Sequence, residues 1–186
     1  MIAMLEQPAI RRQVQPLTVE TYHRLTELGL LSEKVELLRG VIVQKMSKSP
    51  IHCAVLQRLL KLLRAACEPE YEVRQEQPLT LADSEPEPDI AIVPVSAEDY
   101  ASHHPNTALL VVEIAVTTMD TDREKGMIFA EAGISEFWLV LPEKQQVEAY
   151  SKPSASGYRQ CASLAAGGCL ASPVLRGGTI EISRLF

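Results

Sequence analysis

An α/β fold in a single domain is what this 186-residue chain predicts, on three observations. Ile90–Val93 and Leu109–Ile114 are apolar runs without polar alternation, as central strands covered on both faces require. Ile51 to Cys67 carries a broad helical stripe of Val55, Leu56, Leu59, Leu60, Leu62 and Leu63. The length, at 46% hydrophobic, fills one full core and is too short for two large domains. We therefore expect an N-terminal arm over 1–16 and one domain over 17–186.

Taken in order, Thr18 opens a short amphipathic helix with Val19, Tyr22, Leu25 and Leu28 at three-residue steps, stopped by Gly29. Val35–Leu38 and Val41–Met46 then read as a hairpin across Arg39-Gly40, with Glu36 on its first strand. The Ile51–Cys67 helix ends before Pro69. Tyr71–Gln75 and Leu79–Leu81 are short strand candidates. Asp83 to Pro88 cannot lie inside a sheet, because Pro86 and Pro88 remove ladder donors; it is a loop that delivers Asp89. Ser96–Asn106 is a polar loop between the two buried strands. Thr121-Asp122-Arg123-Glu124 has a capping-box pattern at the head of a helix running to Ala132, with Gly133 as its stop. Phe137–Leu141 and Val147–Tyr150 make another strand pair, Tyr158–Ala162 and Thr179–Ser183 are weaker strand patterns, and Ala165–Pro173 is a small-residue loop.

Composition excludes several classes. The four cysteines, Cys53, Cys67, Cys161 and Cys169, form no C-x-x-C pair and have no histidine at zinc-ligand spacing, so neither a structural zinc nor a disulfide framework is expected. They read as reduced thiols, two of them on apolar positions of a helix. Met1–Gln15 offers no apolar signal core, and no stretch reaches membrane-spanning length, so a cytoplasmic location without a membrane partner is the expectation. The net charge of -6 disfavours a nonspecific nucleic-acid binder. Residues 1–64, however, hold ten Lys or Arg against five acids. That skew suits either a phosphate-contacting face beside an acidic centre or an ordinary solvated surface.

The chemistry-bearing constellation is Asp89, Glu113 and Lys125. The two acids sit at ends of buried strands, from which side chains project into a crevice. Carboxylates held close in low dielectric repel, so a proton or a cation must join them. Magnesium accepts one or two carboxylates completed by carbonyl, water and phosphate oxygens. On the helix, Lys125, Ile128, Phe129 and Ala132 fall at i, i+3, i+4 and i+7, which turns the lysine toward the sheet. There it either orients water and stabilises phosphoryl charge, or snorkels from the helix edge.

Glu36-Leu37-Leu38-Arg39-Gly40, Met46, His52, Pro88-Asp89, Val112-Glu113-Ile114, Asp122, Lys125, Ala132-Gly133-Ile134, Glu136-Phe137-Trp138 and Tyr150, in that order, resemble the "Putative restriction endonuclease" family of the PD-(D/E)xK nuclease superfamily. The resemblance covers roughly 17–186. It implies a restriction-endonuclease-like fold, with a mixed central β-sheet flanked by helices, and a magnesium-dependent phosphodiesterase acting on DNA. Asp89 and Glu113 would be metal ligands, with the Ile114 carbonyl a third; Mn would substitute for Mg. The superfamily's usual lysine position, two residues after the second acid, is Ala115 here, and the resemblance moves the lysine to Lys125. Glu36 would assist the metal or the water. Val116, Phe129 and Leu141 depart from the family's serine, tyrosine and aspartate, which bears on substrate positioning.

Other readings stay open. Glu36 is otherwise a surface strand carboxylate, and His52 either contacts a phosphate or water or serves as a capping or packing histidine. Asp83, Glu85 and Glu87 read as a solvated acidic loop, Asp122 as first-turn helix charge, His103-His104 as solvated, and Phe137 and Trp138 as core. A homodimer would be the economical way to cut two strands, by analogy alone. The rival to a nuclease is a catalytically silent relative that binds DNA or protein.

Overall fold

The computed structural model describes residues 7–96 and 100–186. A short helix α1 (Pro8–Arg11) lies in the expected arm, followed by α2 (Val19–Glu27). Thr18 caps α2 by accepting a hydrogen bond from the Thr21 amide at 3.1 Å. Strands β1 (Val35–Leu38) and β2 (Val41–Gln44) form a two-stranded hairpin. Its turn residues Arg39 and Gly40 both take positive φ, at 49° and 72°, the twist that a two-residue hairpin turn requires. Gly40 is fixed by space as well, since a Cβ there would meet Pro16 Cβ at 2.4 Å.

Helix α3 (Pro50–Ala66) is next, then β3 (Tyr71–Gln75), β4 (Ile90–Pro94) and β5 (Leu110–Ile114). Helix α4 (Met119–Glu131) connects β5 to β6 (Glu136–Leu141), and β7 (Gln146–Ser151) and β8 (Gln160–Ala165) complete a six-stranded sheet in the order β3-β4-β5-β6-β7-β8. Every pairing is antiparallel except β5 with β6, where α4 supplies the crossover a parallel pair needs. The sheet is therefore mixed and flanked by helices. A second small pair, β9 (Cys169–Ala171) with β10 (Thr179–Glu181), closes the chain.

Strand alternation divides the core in two. Ile90, Ile92, Leu110, Val112, Ile114, Trp138 and Val140 pack against the α3 stripe, whereas Ala91, Val93, Val111, Phe137 and Leu139 pack against Ile128 and Phe129 of α4. By the same period of two, Asp89 and Glu113 must face α4.

Five expectations need correction. The α4 helix begins at Met119, not at a Thr121 cap: its N-cap is Thr118, whose side chain donates to Asp122 rather than capping an amide. Leu79–Leu81 is no strand, because its amides are satisfied by Pro86, Pro105 and Ser84 carbonyls in irregular pairing. Ala165–Pro173 contains β9, whose only buried residue is Leu170, so a small-residue segment pairs on one apolar anchor. Cys53 is exposed on α3 and fills no apolar position, whereas Cys67, at the α3 C-cap, is half-buried against the core; all four thiols are free. The acidic loop is solvated at Asp83 only: Glu87 is half-buried and paired with Lys45, and Glu85 is buried, accepting from Thr80 at 2.9 Å and contacting His23 Nε2 at 2.6 Å. Among the described residues no helix is long and apolar enough to cross a membrane.

Candidate active site

The β4–β5 register brings the two acids together. Ile90 pairs with Val112, so one step further along the antiparallel ladder Asp89 stands opposite Glu113. Like charges directly opposite on one face repel, and strand pairing alone would disfavour this arrangement. Backbone donors offset part of that cost. The Ile114 amide donates to Asp89 Oδ2 at 2.8 Å, and the Asp89 amide donates to Glu113 Oε2 at 3.3 Å. Both acids are buried, at 6% and 4% exposure.

Lys125 supplies the opposing charge from α4. Its Nζ lies 2.7 Å from Glu113 Oε1 and 3.2 Å from Glu36 Oε2, with all three side chains about 6% exposed or less. The snorkelling alternative is thereby set aside, since the amine is inside. The Lys125–Glu113 contact is a close ion pair without hydrogen-bond alignment, and Oε1 is otherwise an unsatisfied buried oxygen. Burial alone would lower the Lys125 pKa; Glu113 first and then Glu36 overcome it and hold the ammonium well above its ordinary value. Burial pushes the Glu113 carboxyl well up, against the pull of Lys125, with the charges of Asp89 and Asp122 adding to the rise. For Asp89 burial also acts upward, but the hydrogen bond and charge of His52, the Ile114 amide and Lys48 outweigh it and hold the carboxyl below its usual range.

Glu36 comes from β1, where Glu36, Leu37 and Leu38 are all buried. The bridge between Leu37 and Glu85, with the Glu85 amide donating to the Leu37 carbonyl at 2.7 Å, ties this hairpin to the Asp83–Pro88 loop. Glu36 Oε2 also accepts from the Glu87 amide at 3.2 Å. His52, near the N-terminus of α3, places Nε2 3.0 Å from Asp89 Oδ2, while its buried Nδ1 has no partner.

The sequence-derived residues Asp89, Glu113, Ile114, Lys125, Glu36 and His52 thus all line one cleft, of about 910 Å³. His103 and His104 are not part of it. Three more charges join them: Lys48 and Glu76, which the sequence did not single out, and Asp122, which it read as first-turn helix charge. Lys48 contacts Asp89 Oδ1 at 3.4 Å and forms an ion pair with Glu76. Asp122 is buried and lines the cleft, and burial, with the Asp89 and Glu36 charges, raises its pKa despite Thr118 and Lys125. A signal for Asp122 existed: it sits three residues before Lys125, so the buried stripe runs through Asp122, Lys125, Ile128 and Phe129, and Ala132 is exposed. Nothing comparable marked Lys48 or Glu76, which meet only through the fold. Of the three departures, Val116 forms cleft wall, while Phe129 and Leu141 are core.

Among the described residues no group of three or more His, Cys, Asp or Glu is arranged to hold a metal. The donor set is therefore Asp89 and Glu113 plus backbone and water oxygens, and Lys125 Nζ, 2.7 Å from Glu113 Oε1, is the charge that neutralises it. Such a set fits a hard, water-rich ion such as magnesium rather than zinc.

The family model "Uma2: Putative restriction endonuclease" matches residues 19–183, nearly the whole chain. The chain belongs to this family. No curated protein matches it. Among solved structures, the crystal structure described as a putative nuclease belonging to DUF820 from Anabaena variabilis ATCC 29413 is similar at a TM-score of 0.72, with 18% identity, over 87% of this chain and 96% of that one. At that identity the likeness speaks for the fold. Family membership and fold together extend from β1 to β10, so they include every element that contributes to the cleft.

Proposed function

We propose that the protein is a divalent-metal-dependent endonuclease that hydrolyses phosphodiester bonds in DNA. The observation that carries this reading is the buried Lys125 ammonium 2.7 Å from Glu113, which itself stands across the ladder from Asp89. Asp89 and Glu113, with the Ile114 carbonyl as a third donor, would hold Mg²⁺, or Mn²⁺ in its place. Such an ion, when bound, supplies Lewis-acid stabilisation of a phosphoryl oxygen and makes water a better nucleophile.

The chain's own groups divide the remaining work. Lys125, held protonated by two carboxylates, cannot be the base; it acts as a donor that orients the attacking water and neutralises charge gathering on the phosphoryl oxygen. Glu36 anchors that amine from the far side of the cleft, a positioning role rather than metal ligation. His52 fixes the Asp89 carboxylate through Oδ2 and so works through the acid, not through the substrate. In the reaction a water oxygen bonds to phosphorus, the bond to the ester oxygen breaks, and that oxygen leaves with a proton.

Cleavage of supercoiled plasmid in Mn²⁺ or Mg²⁺ tests this directly. Wild type should nick the DNA, and Lys125→Ala should lose roughly a hundredfold or more in rate, the scale on which removal of one transition-state donor acts. Equal nicking by both would remove the lysine from the mechanism. A second reading, a catalytically silent relative that binds DNA or protein, is favoured by Val116 in the cleft wall. Under it, Mn²⁺ leaves the melting temperature unchanged; under the nuclease reading Mn²⁺ raises it, and Asp89→Asn abolishes the rise.

A further inference from the structure

Lys48 occupies a place that the nuclease chemistry does not by itself explain. It lies in the connection between β2 and α3, one residue before Ser49, the α3 N-cap. Its ammonium bridges Asp89 Oδ1, at 3.4 Å, and Glu76 Oε1. The second oxygen of Asp89 already accepts from the Ile114 amide and contacts His52. Oδ1 is thus the oxygen that Asp89 has left to offer a metal, and among the described residues Lys48 is the cation on it.

Lys48 also differs from Lys125 in its setting. The Lys125 side chain is 6% exposed and cannot leave without stranding two buried carboxylates, whereas Lys48 and Glu76 are 35% and 37% exposed at the cleft mouth. The Lys48–Glu76 pair is worth little at that exposure, and the Lys48–Asp89 contact is long at 3.4 Å with its amine end open, so release of Lys48 costs little. A lysine is a compact charge on a flexible stem with three donors, suited to changing partners.

We propose that Lys48 is a two-position counterion: it neutralises Asp89 Oδ1 in the metal-free protein, and on metal loading it turns into the cleft to contact a phosphate of the DNA substrate. The inference rests on the nuclease reading above. It makes Lys48 both a competitor of the metal and a substrate contact. Those two roles respond in opposite directions to one substitution.

The test uses the full chain and two titrations: Mn²⁺ alone by calorimetry, and a short DNA duplex by fluorescence anisotropy in Ca²⁺, for wild type, Lys48→Gln and Lys48→Arg. Lys48→Gln should bind Mn²⁺ roughly fivefold more tightly, the scale of one exposed ion pair, and bind the duplex several-fold more weakly, while Lys48→Arg stays near wild type. A purely structural lysine would weaken both on removal. Unchanged or weaker Mn²⁺ binding by a folded Lys48→Gln overturns the competition, and undiminished duplex binding overturns the phosphate contact. Failure of the wild type to bind Mn²⁺ is a different result: it overturns the nuclease reading, and the proposal with it.

Discussion

At the scale of single residues, the site is a cluster of buried charges whose balance is set by Lys125. Its removal leaves Glu36 and Glu113 facing each other's field without a counterion, and breaking a buried pair from one side costs about 3–5 kcal/mol. Lys125→Met should therefore lower the urea-unfolding free energy by about that amount in EDTA. Saturating Mn²⁺ should recover part of the loss in the mutant, because a divalent ion can replace the missing charge. Equal mutant losses with and without Mn²⁺ would disconnect the lysine from a metal site. Protonation offers a second handle. Glu113 has a native pKa above its unfolded value, about 4.3, so across that interval the folded chain holds the extra proton and metal-free stability falls as pH rises. Asp89 has the opposite sign: its native pKa is depressed, so its contribution is present above the unfolded value of about 3.9 and is lost as pH falls through the native one. Urea midpoints in EDTA should thus decline on the high side of the carboxylate range in wild type, and Glu113→Gln should flatten that decline. A decline of the same slope in the mutant would assign it to another group.

At the scale of elements, delivery of Lys125 depends on how closely α4 approaches the sheet. Gly126, its neighbour on the helix, permits the contact: a Cβ there would meet Phe137 Cε1 at 2.7 Å and Cδ1 at 2.9 Å. Phe137 cannot give way easily, since its ring stacks on Tyr150 at 5.5 Å and touches Phe129 at 5.6 Å. Gly126→Ala should cost about 1–3 kcal/mol by overpacking, against the usual gain of alanine in a helix, and should slow cleavage by shifting the lysine. A more stable, equally active Gly126→Ala protein would show that the helix has room to spare. The same helix shows how far the sequence could be read. Its apolar stripe placed Lys125 inward because the 3.6-residue period is a property of the chain itself. The capping pattern at Thr121 misled because the helix already begins at Met119: Thr118 bonds to Asp122 within the first turn, and Asp122 faces the cleft instead of solvent. Strands β4 and β5 were legible from unbroken β-branched runs, and with them the positions of Asp89 and Glu113. Leu79–Leu81 and β9 were not, since irregular pairing and a single buried Leu170 leave no periodic trace. Lys48 and Glu76 meet across 28 residues, and no local pattern encodes such a contact.

At the scale of the whole molecule, the proposed function raises the question of how a chain of net charge -6 would hold an anionic polymer. Of the cations in residues 1–64, those that line the cleft are mostly paired with acids. Arg24 pairs with Glu27, Arg39 with Glu131 and Glu124, Lys45 with Glu87, and Lys48 with Glu76 and Asp89. Lys45, Lys48 and Lys125 of the cleft wall are thus held by acids, so at the cleft itself few cations are left to displace counterions from DNA. Each phosphate neutralised contributes about -0.9 to the slope of log affinity against log salt. A binder with few free cations should show a slope no steeper than about -3, and its affinity should depend on a divalent ion that offsets the acidic cleft. Anisotropy titrations of a duplex over a range of NaCl, with Ca²⁺ or with EDTA, measure both quantities. A slope near -6 in EDTA would require cations outside the cleft, and would move the nucleic-acid contact away from it. A shallow slope that appears only with Ca²⁺ would instead make the two buried acids part of DNA binding itself, with the metal joining the protein to the phosphate it is to cut.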